Sequence, residues 1–166
     1  MRRPTLIGMN NPISVRPEHA LYPFPRGCAG NRLWQMLHAI EPEATASNYV
    51  RVFRRLNLVI GPWNLASARA RADDLLPELA DGAPVILLGR EVAKAFNLPA
   101  DLAPLVWVSV PVGEDEARFH YFPHPSGRNL WYNDPENYAA AGQRLADIYR
   151  EYSYSATKAE LFGDDA

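Results

Sequence analysis

A chain of 166 residues, 48% of them hydrophobic, is sized and composed like one globular domain with a real core. No apolar run approaches the ~20 residues that span a membrane, and the first residues lack the long apolar segment of a secretory signal. The single cysteine, Cys28, excludes an internal disulfide and any four-cysteine metal or iron–sulfur centre, so an intracellular setting is expected. A net charge of −2 does not mark a nucleic-acid binder. Yet 15 of the 17 basic residues are arginines, which suit two-pronged phosphate contacts better than lysine does. A weakly basic face and a set of merely solvated arginines both remain open.

The first strand is read at Thr5-Leu6-Ile7, closed by the turn residues Gly8-Met9-Asn10-Asn11-Pro12. An irregular segment follows. Prolines and glycines through residues 21–30 exclude regular structure there and leave Tyr22 and Phe24 on a loop, as a lid on the core or a platform for a ligand. Leu33, Trp34, Leu37 and Ile40 recur at helical spacing, predicting a helix over residues 31–40 capped by Gly30 or Asn31. A second helix is expected over residues 45–53. A second strand is expected over 56–60, stopped by Gly61-Pro62. The alanine- and arginine-rich residues 65–79 read as a surface helix. Pro84-Val85-Ile86-Leu87-Leu88 is a continuous apolar run, the pattern of a parallel strand buried on both faces. A short helix is expected over 91–96, a strand pair over 105–110 and 118–122, and a last helix over 136–152. Residues 153–166 are expected to form a loosely ordered tail. Strands alternating with helices predict an α/β fold with a short, mainly parallel sheet and helices on both faces, in one domain over residues 1–166.

Ligands of open α/β sheets sit beyond the carboxyl ends of the strands. Two polar loops are expected there, residues 8–12 and His124-Pro125-Ser126-Gly127-Arg128-Asn129. No metal-ligating cluster, glycine-rich phosphate cradle or Ser/His/Asp arrangement is visible. Glu18 and His19 are adjacent, but nothing else points to a metal. Taken singly, the candidates have ordinary explanations: Asn10 and Asn11 as turn formers, His124 as a loop histidine, Phe24 as a core aromatic.

Together, these residues resemble the uracil-DNA glycosylase superfamily. Gly8-Met9-Asn10-Asn11-Pro12 looks like its first motif. Pro23-Phe24 followed by Asn31-Arg32-Leu33-Trp34 is similar to the mismatch-specific enzymes, as is the central strand Val85-Ile86-Leu87-Leu88-Gly89-Arg90. His124-Pro125-Ser126-Gly127-Arg128-Asn129 resembles the single-strand-selective monofunctional enzymes. The resemblance implies a three-layer α/β/α sandwich and a monofunctional DNA glycosylase that hydrolyses the bond from sugar to uracil or a 5-substituted uracil, such as 5-hydroxymethyluracil. It implies no cofactor or metal, a cytoplasmic or nucleoid-associated monomer, and DNA holding uracil or a modified uracil as partner.

The resemblance also assigns roles. Asn10 positions the water, with Asn11 competing for that place. Phe24 stacks under the flipped base, next to Met9. Asn57 reads the base, with Asn64 as rival. His124 bonds the uracil carbonyl. Ser126, Gly127, Arg128 and Asn129 contact DNA, Ser126 holding a phosphate and Arg128 wedging into the duplex. A non-catalytic module that binds DNA or a modified base in the same pocket is the alternative, favoured by the second asparagine.

Overall fold

The computed structural model describes residues 2–163. Five strands form one sheet: β1 (Thr5–Gly8), β2 (Arg54–Asn57), β3 (Pro84–Leu88), β4 (Trp107–Val112) and β5 (Asp115–Phe122), in the order β2-β1-β3-β5-β4. β2, β1, β3 and β5 run parallel, with Thr5 opposite both Arg54 and Val85, and Val85 opposite Phe119. β4 closes one edge antiparallel to β5 as a hairpin, with Trp107 opposite His120. The protein is therefore α/β, with a mostly parallel central sheet.

Five helices surround that sheet: α1 (Ala29–Ile40), α2 (Ala46–Val52), α3 (Leu65–Leu79), α4 (Arg90–Ala95) and α5 (Pro135–Phe162). The two-residue period of the strands divides the core in two. Leu6, Ile86, Leu88 and Phe122 pack on one side against α1, α2 and α5. Ile7, Val85, Leu87 and Phe119 pack on the other against α3 and α4. Every residue of β3 is buried, as its unbroken apolar run requires. Pro84 stands at the first position of that strand, where a missing N–H is tolerated.

β4 and β5 cover 107–112 and 115–122 rather than the expected 105–110 and 118–122, and three other elements also differ from the sequence reading by more than one residue. β2 begins and ends earlier than expected, because two arginines open it. It is an edge strand, where half-exposed arginines are suited to guard unpaired backbone. Leu58 and Val59 lie just beyond it, their N–H groups donating to the carbonyls of Gly8 and Met9. α1 starts at Ala29, and its cap is Cys28, whose sulfur accepts from the Asn31 N–H at 3.4 Å. α5 does not stop near Ser153. Good helix formers continue it to Phe162, Ala156 is buried, and Arg51 pairs with Glu160 at 2.8 Å. The tail expected from residue 153 is thus helical to Phe162, and residues 164–166 lie outside the described residues. No helix among the described residues is long and apolar enough to cross a membrane.

Candidate functional site

Because β1, β2, β3 and β5 are parallel, the chain leaves all four at one edge of the sheet. A cleft of about 650 Å³ opens there, within the range of small-molecule sites. Of the residues singled out from the sequence, Met9, Asn10, Asn11, Phe24, Asn57, His124, Ser126 and Gly127 line it.

The two asparagines after β1 are not equivalent. Asn11 is spent on its own turn: its Oδ1 accepts from the N–H groups of Ile13 (2.9 Å) and Ser14 (3.2 Å), and its amide donates to the His19 carbonyl at 3.2 Å. This is the aspartate-like turn that makes asparagine common in loops. Asn10 donates its amide to the Gly61 carbonyl at 2.8 Å. A carbonyl can only accept, so this bond fixes which end of the Asn10 amide is nitrogen. Its Oδ1 is left without a hydrogen-bond partner among the described residues.

Asn57 ends β2 opposite Gly8. Its Oδ1 lies where a side chain at Gly8 would begin: a Cβ added there would sit 2.5 Å away. The glycine of the first loop therefore makes room for the Asn57 amide. Asn64, the rival for that role, is outside the cleft lining and caps α3, accepting from the Ser67 N–H at 2.9 Å.

His124 follows β5 and packs over Gly89, the residue after β3. A Cβ on Gly89 would approach the His124 Cβ at 3.2 Å, and Gly89 also has a φ of 101°, so a side chain there is opposed twice. The Tyr132 hydroxyl donates to the Pro123 carbonyl at 2.6 Å and pins the backbone just before the histidine. Burial holds the His124 imidazole below its ordinary pKa of 6.5, so the ring is neutral at pH 7 and carries one N–H to donate.

Phe24 is 53% exposed and also lines the cleft. Its loop is braced rather than loose. The buried Asn31 side chain donates to the Pro23 carbonyl (2.9 Å) and accepts from the Gly27 N–H (3.0 Å). The buried Tyr49 hydroxyl donates to the carbonyl of Leu21, which is held at φ 49°. Asn31 is thus a brace for the loop, not the helix cap expected from the sequence.

Ser126 and Gly127 border the cleft, whereas Arg128 and Asn129 are not among its lining residues. Arg128 is exposed, and Asn129 caps the turn Leu130–Asn133 by accepting from the Trp131 N–H at 3.1 Å. The sequence reading missed Ser14 and His19 as cleft residues. The Ser14 Oγ and His19 Nδ1 are 2.9 Å apart at its exposed lip. Tyr132 and Asn31 were also missed as braces. A buried hydroxyl or amide that bonds backbone leaves no periodic signal in a sequence.

A separate hollow of about 690 Å³ lies toward the opposite end of the sheet, lined by Arg2 and the acids Asp81, Glu114, Asp115 and Glu116. It holds none of the candidate residues. Among the described residues no three His, Cys, Asp or Glu side chains are grouped to hold a metal ion. No protein-family model matches the chain, and no curated protein is significantly similar to it.

Proposed function

We propose that this protein is a monofunctional DNA glycosylase acting on uracil or a 5-substituted uracil flipped out of DNA, on a three-layer α/β/α fold and without a cofactor. One observation carries the reading. A single cleft gathers an asparagine oxygen with no partner among the described residues (Asn10), a neutral half-buried imidazole (His124), an amide at a strand end (Asn57) and an exposed aromatic ring (Phe24). Those are the groups that hydrolysis of a pyrimidine glycosidic bond needs when neither metal nor strong base takes part.

The target base leaves the duplex stack at a cost of a few kcal/mol, less where it is unpaired. Phe24 offers a ring face to it, and such stacking contributes roughly 1–3 kcal/mol. Asn57 supplies both a donor and an acceptor to the base edge. As the bond between N1 and the sugar C1′ breaks, its electron pair stays with the base and negative charge builds on the carbonyls. The His124 N–H donates to that charge as it develops, which lowers the barrier rather than merely tightening binding. The sugar becomes cation-like and needs only a placed water, not a hydroxide. Asn10 Oδ1 accepts a hydrogen bond from that water and aims it at C1′; an amide is too weak a base to deprotonate it. Water adds to C1′, its proton goes to solvent, and the base departs as an anion that solvent protonates. In this reading DNA is the partner and the protein acts as a monomer.

Incubation with oligonucleotides carrying uracil, 5-hydroxymethyluracil and related bases, single- and double-stranded, followed by alkaline cleavage at abasic sites, tests the proposal. Strand scission at the modified base is expected. No scission with any such lesion in either form would sink it, and tight binding without scission would establish a non-catalytic base-binding module instead.

A further inference from the structure

Five aromatic rings run in an unbroken row from the cleft lip to the last turn of α1. His19, Tyr22, Phe24, Trp34 and His38 stand with successive centroids 6.3, 6.3, 5.8 and 5.4 Å apart. The row is not buried. Tyr22 is 40% and Phe24 53% exposed, Trp34 is half-buried, and both histidines are exposed. It is also fixed in place. The Trp34 indole N–H donates to the Ala44 carbonyl at 2.9 Å, His38 Nδ1 approaches the same carbonyl at 3.2 Å, and the Arg55 guanidinium covers Tyr22 at 5.5 Å. Neighbouring rings touch at tilted or edge angles, so no planar group fits between them. What they offer is a run of part-exposed rings.

Charge selects what can lie on that row. Between Glu18 and Glu41 the sequence contains no acidic residue, but it contains Arg26 and Arg32. Neither arginine is in an ion pair among the described residues, and Arg32 reaches across to Gly127 in the loop after His124. An acidic protein surface could pair with the arginines but would bring few flat groups to the rings. A polynucleotide matches both components: its bases have faces to stack, and its phosphates match the arginines. Bases inside a duplex already stack on each other and present only their edges, so the fit is to an unpaired strand.

We infer that the His19–Tyr22–Phe24–Trp34–His38 row is a track for single-stranded DNA, in which Phe24 takes the base that enters the cleft and the other four rings seat the nucleotides flanking it. The inference rests on the glycosylase reading for what enters the cleft, but the track is testable without any excision. Fluorescence anisotropy with a labelled ten-nucleotide oligothymidylate, alone and annealed to its complement, reads it directly. The single strand is expected to bind at least about ten times more tightly than the duplex. Trp34→Leu, checked for folding by circular dichroism, weakens single-strand binding about tenfold or more. His38→Ala, at an exposed position, weakens it in the same direction. Arg26→Ala lowers the slope of log affinity against log salt by about 0.7, the share of one phosphate contact on a single strand. Should Trp34→Leu fail to fold, the two exposed-site variants carry the test. Equal affinity for strand and duplex, or wild-type binding by the folded variants, overturns the track. Oligothymidylate binding that depends on the row, with no base released from any lesion, leaves the track standing and removes the glycosylase. Excision with an idle row does the reverse.

Discussion

The two adjacent asparagines after β1 are chemically identical and do different work. Asn11 makes two hydrogen bonds within its own turn and a third to the His19 carbonyl, and Asn10 makes one that leaves its oxygen free. The variants therefore separate. Asn10→Ala is expected to lower the excision rate about 100-fold, the scale on which a misplaced reactant matters, with little change in melting temperature. Asn11→Ala should instead cost about 1 kcal/mol of stability through the lost turn bonds, and reduce excision less. On the proposed mechanism His124→Ala removes the donor to the charge developing on the base, and is expected to reduce the excision rate roughly 100- to 1,000-fold. Single-turnover excision paired with thermal melts checks all three. An Asn11→Ala variant that is stable but inactive would reverse the assignment of the water.

At the scale of elements, the cleft depends on how the sheet delivers its loops. Gly89 turns the chain from β3 into α4 at φ 101° with His124 lying against it, so Gly89→Ala meets both backbone strain and a crowded ring. Strain of that kind costs about 1–3 kcal/mol, and the displaced imidazole should make excision fall by more than the loss of folded protein explains. Circular dichroism melts and initial rates on the same preparation separate the two effects. α1 allows a change in the opposite direction. Its cap is a cysteine sulfur, a weak acceptor, which also donates to the Tyr22 carbonyl at 3.4 Å. Cys28→Ser keeps both bonds and improves the acceptor. An increase in melting temperature of about 1–3 °C is expected, and a decrease would show that the sulfur's bulk matters more than its cap.

The same elements explain what could be read in the sequence and what could not. β3 was legible because a strand buried on both faces has no polar alternation to blur it. α3 was legible because its residues favour a helix; the Asn64 cap was not, since that residue was set down as a rival for reading the base. β2 was misplaced because the apolar residues Leu58 and Val59 lie past the ladder, while its paired residues include two arginines. The end of α5 was missed because a mixed polar sequence carries no stripe, although Ala156 and the Arg51–Glu160 pair hold it. In the cleft, the residue types of both loops were legible. Which of Asn10 and Asn11 had a free oxygen was not, since that depends on a carbonyl 51 residues away in sequence.

Over the whole molecule, charge and burial are divided along the strands. The hollow at one end of the sheet collects Asp81, Glu114, Asp115 and Glu116, while residues 19–40 beside the cleft carry two arginines and no acid. A protein of net charge −2 can thus present phosphate with an attractive end and a repulsive one, which orients approach rather than strengthening every encounter. Between these ends the sheet holds a buried histidine that links global stability to pH. His120 on β5 is 8% exposed, and Arg144 of α5 approaches its Nδ1 at 3.1 Å. Arginine can only donate, so Nδ1 accepts and the ring is neutral. Burial first, then the positive charges of Arg144 and Arg118, lower its pKa to about 4 from 6.5. The unfolded chain therefore binds a proton that the folded one refuses, and stability rises with pH across that window. It is fully present above about pH 6.5 and is lost as pH falls towards 4, by on the order of 3 kcal/mol for this residue. His124, shifted in the same direction, adds to the same slope. His120→Gln keeps an acceptor for Arg144 but cannot take up the proton. Urea unfolding at pH 7.5 and pH 5 should show the wild type losing stability on acidification and the variant losing distinctly less. Equal losses would mean that carboxylates elsewhere, rather than the histidine between β5 and α5, set the acid limit of this fold.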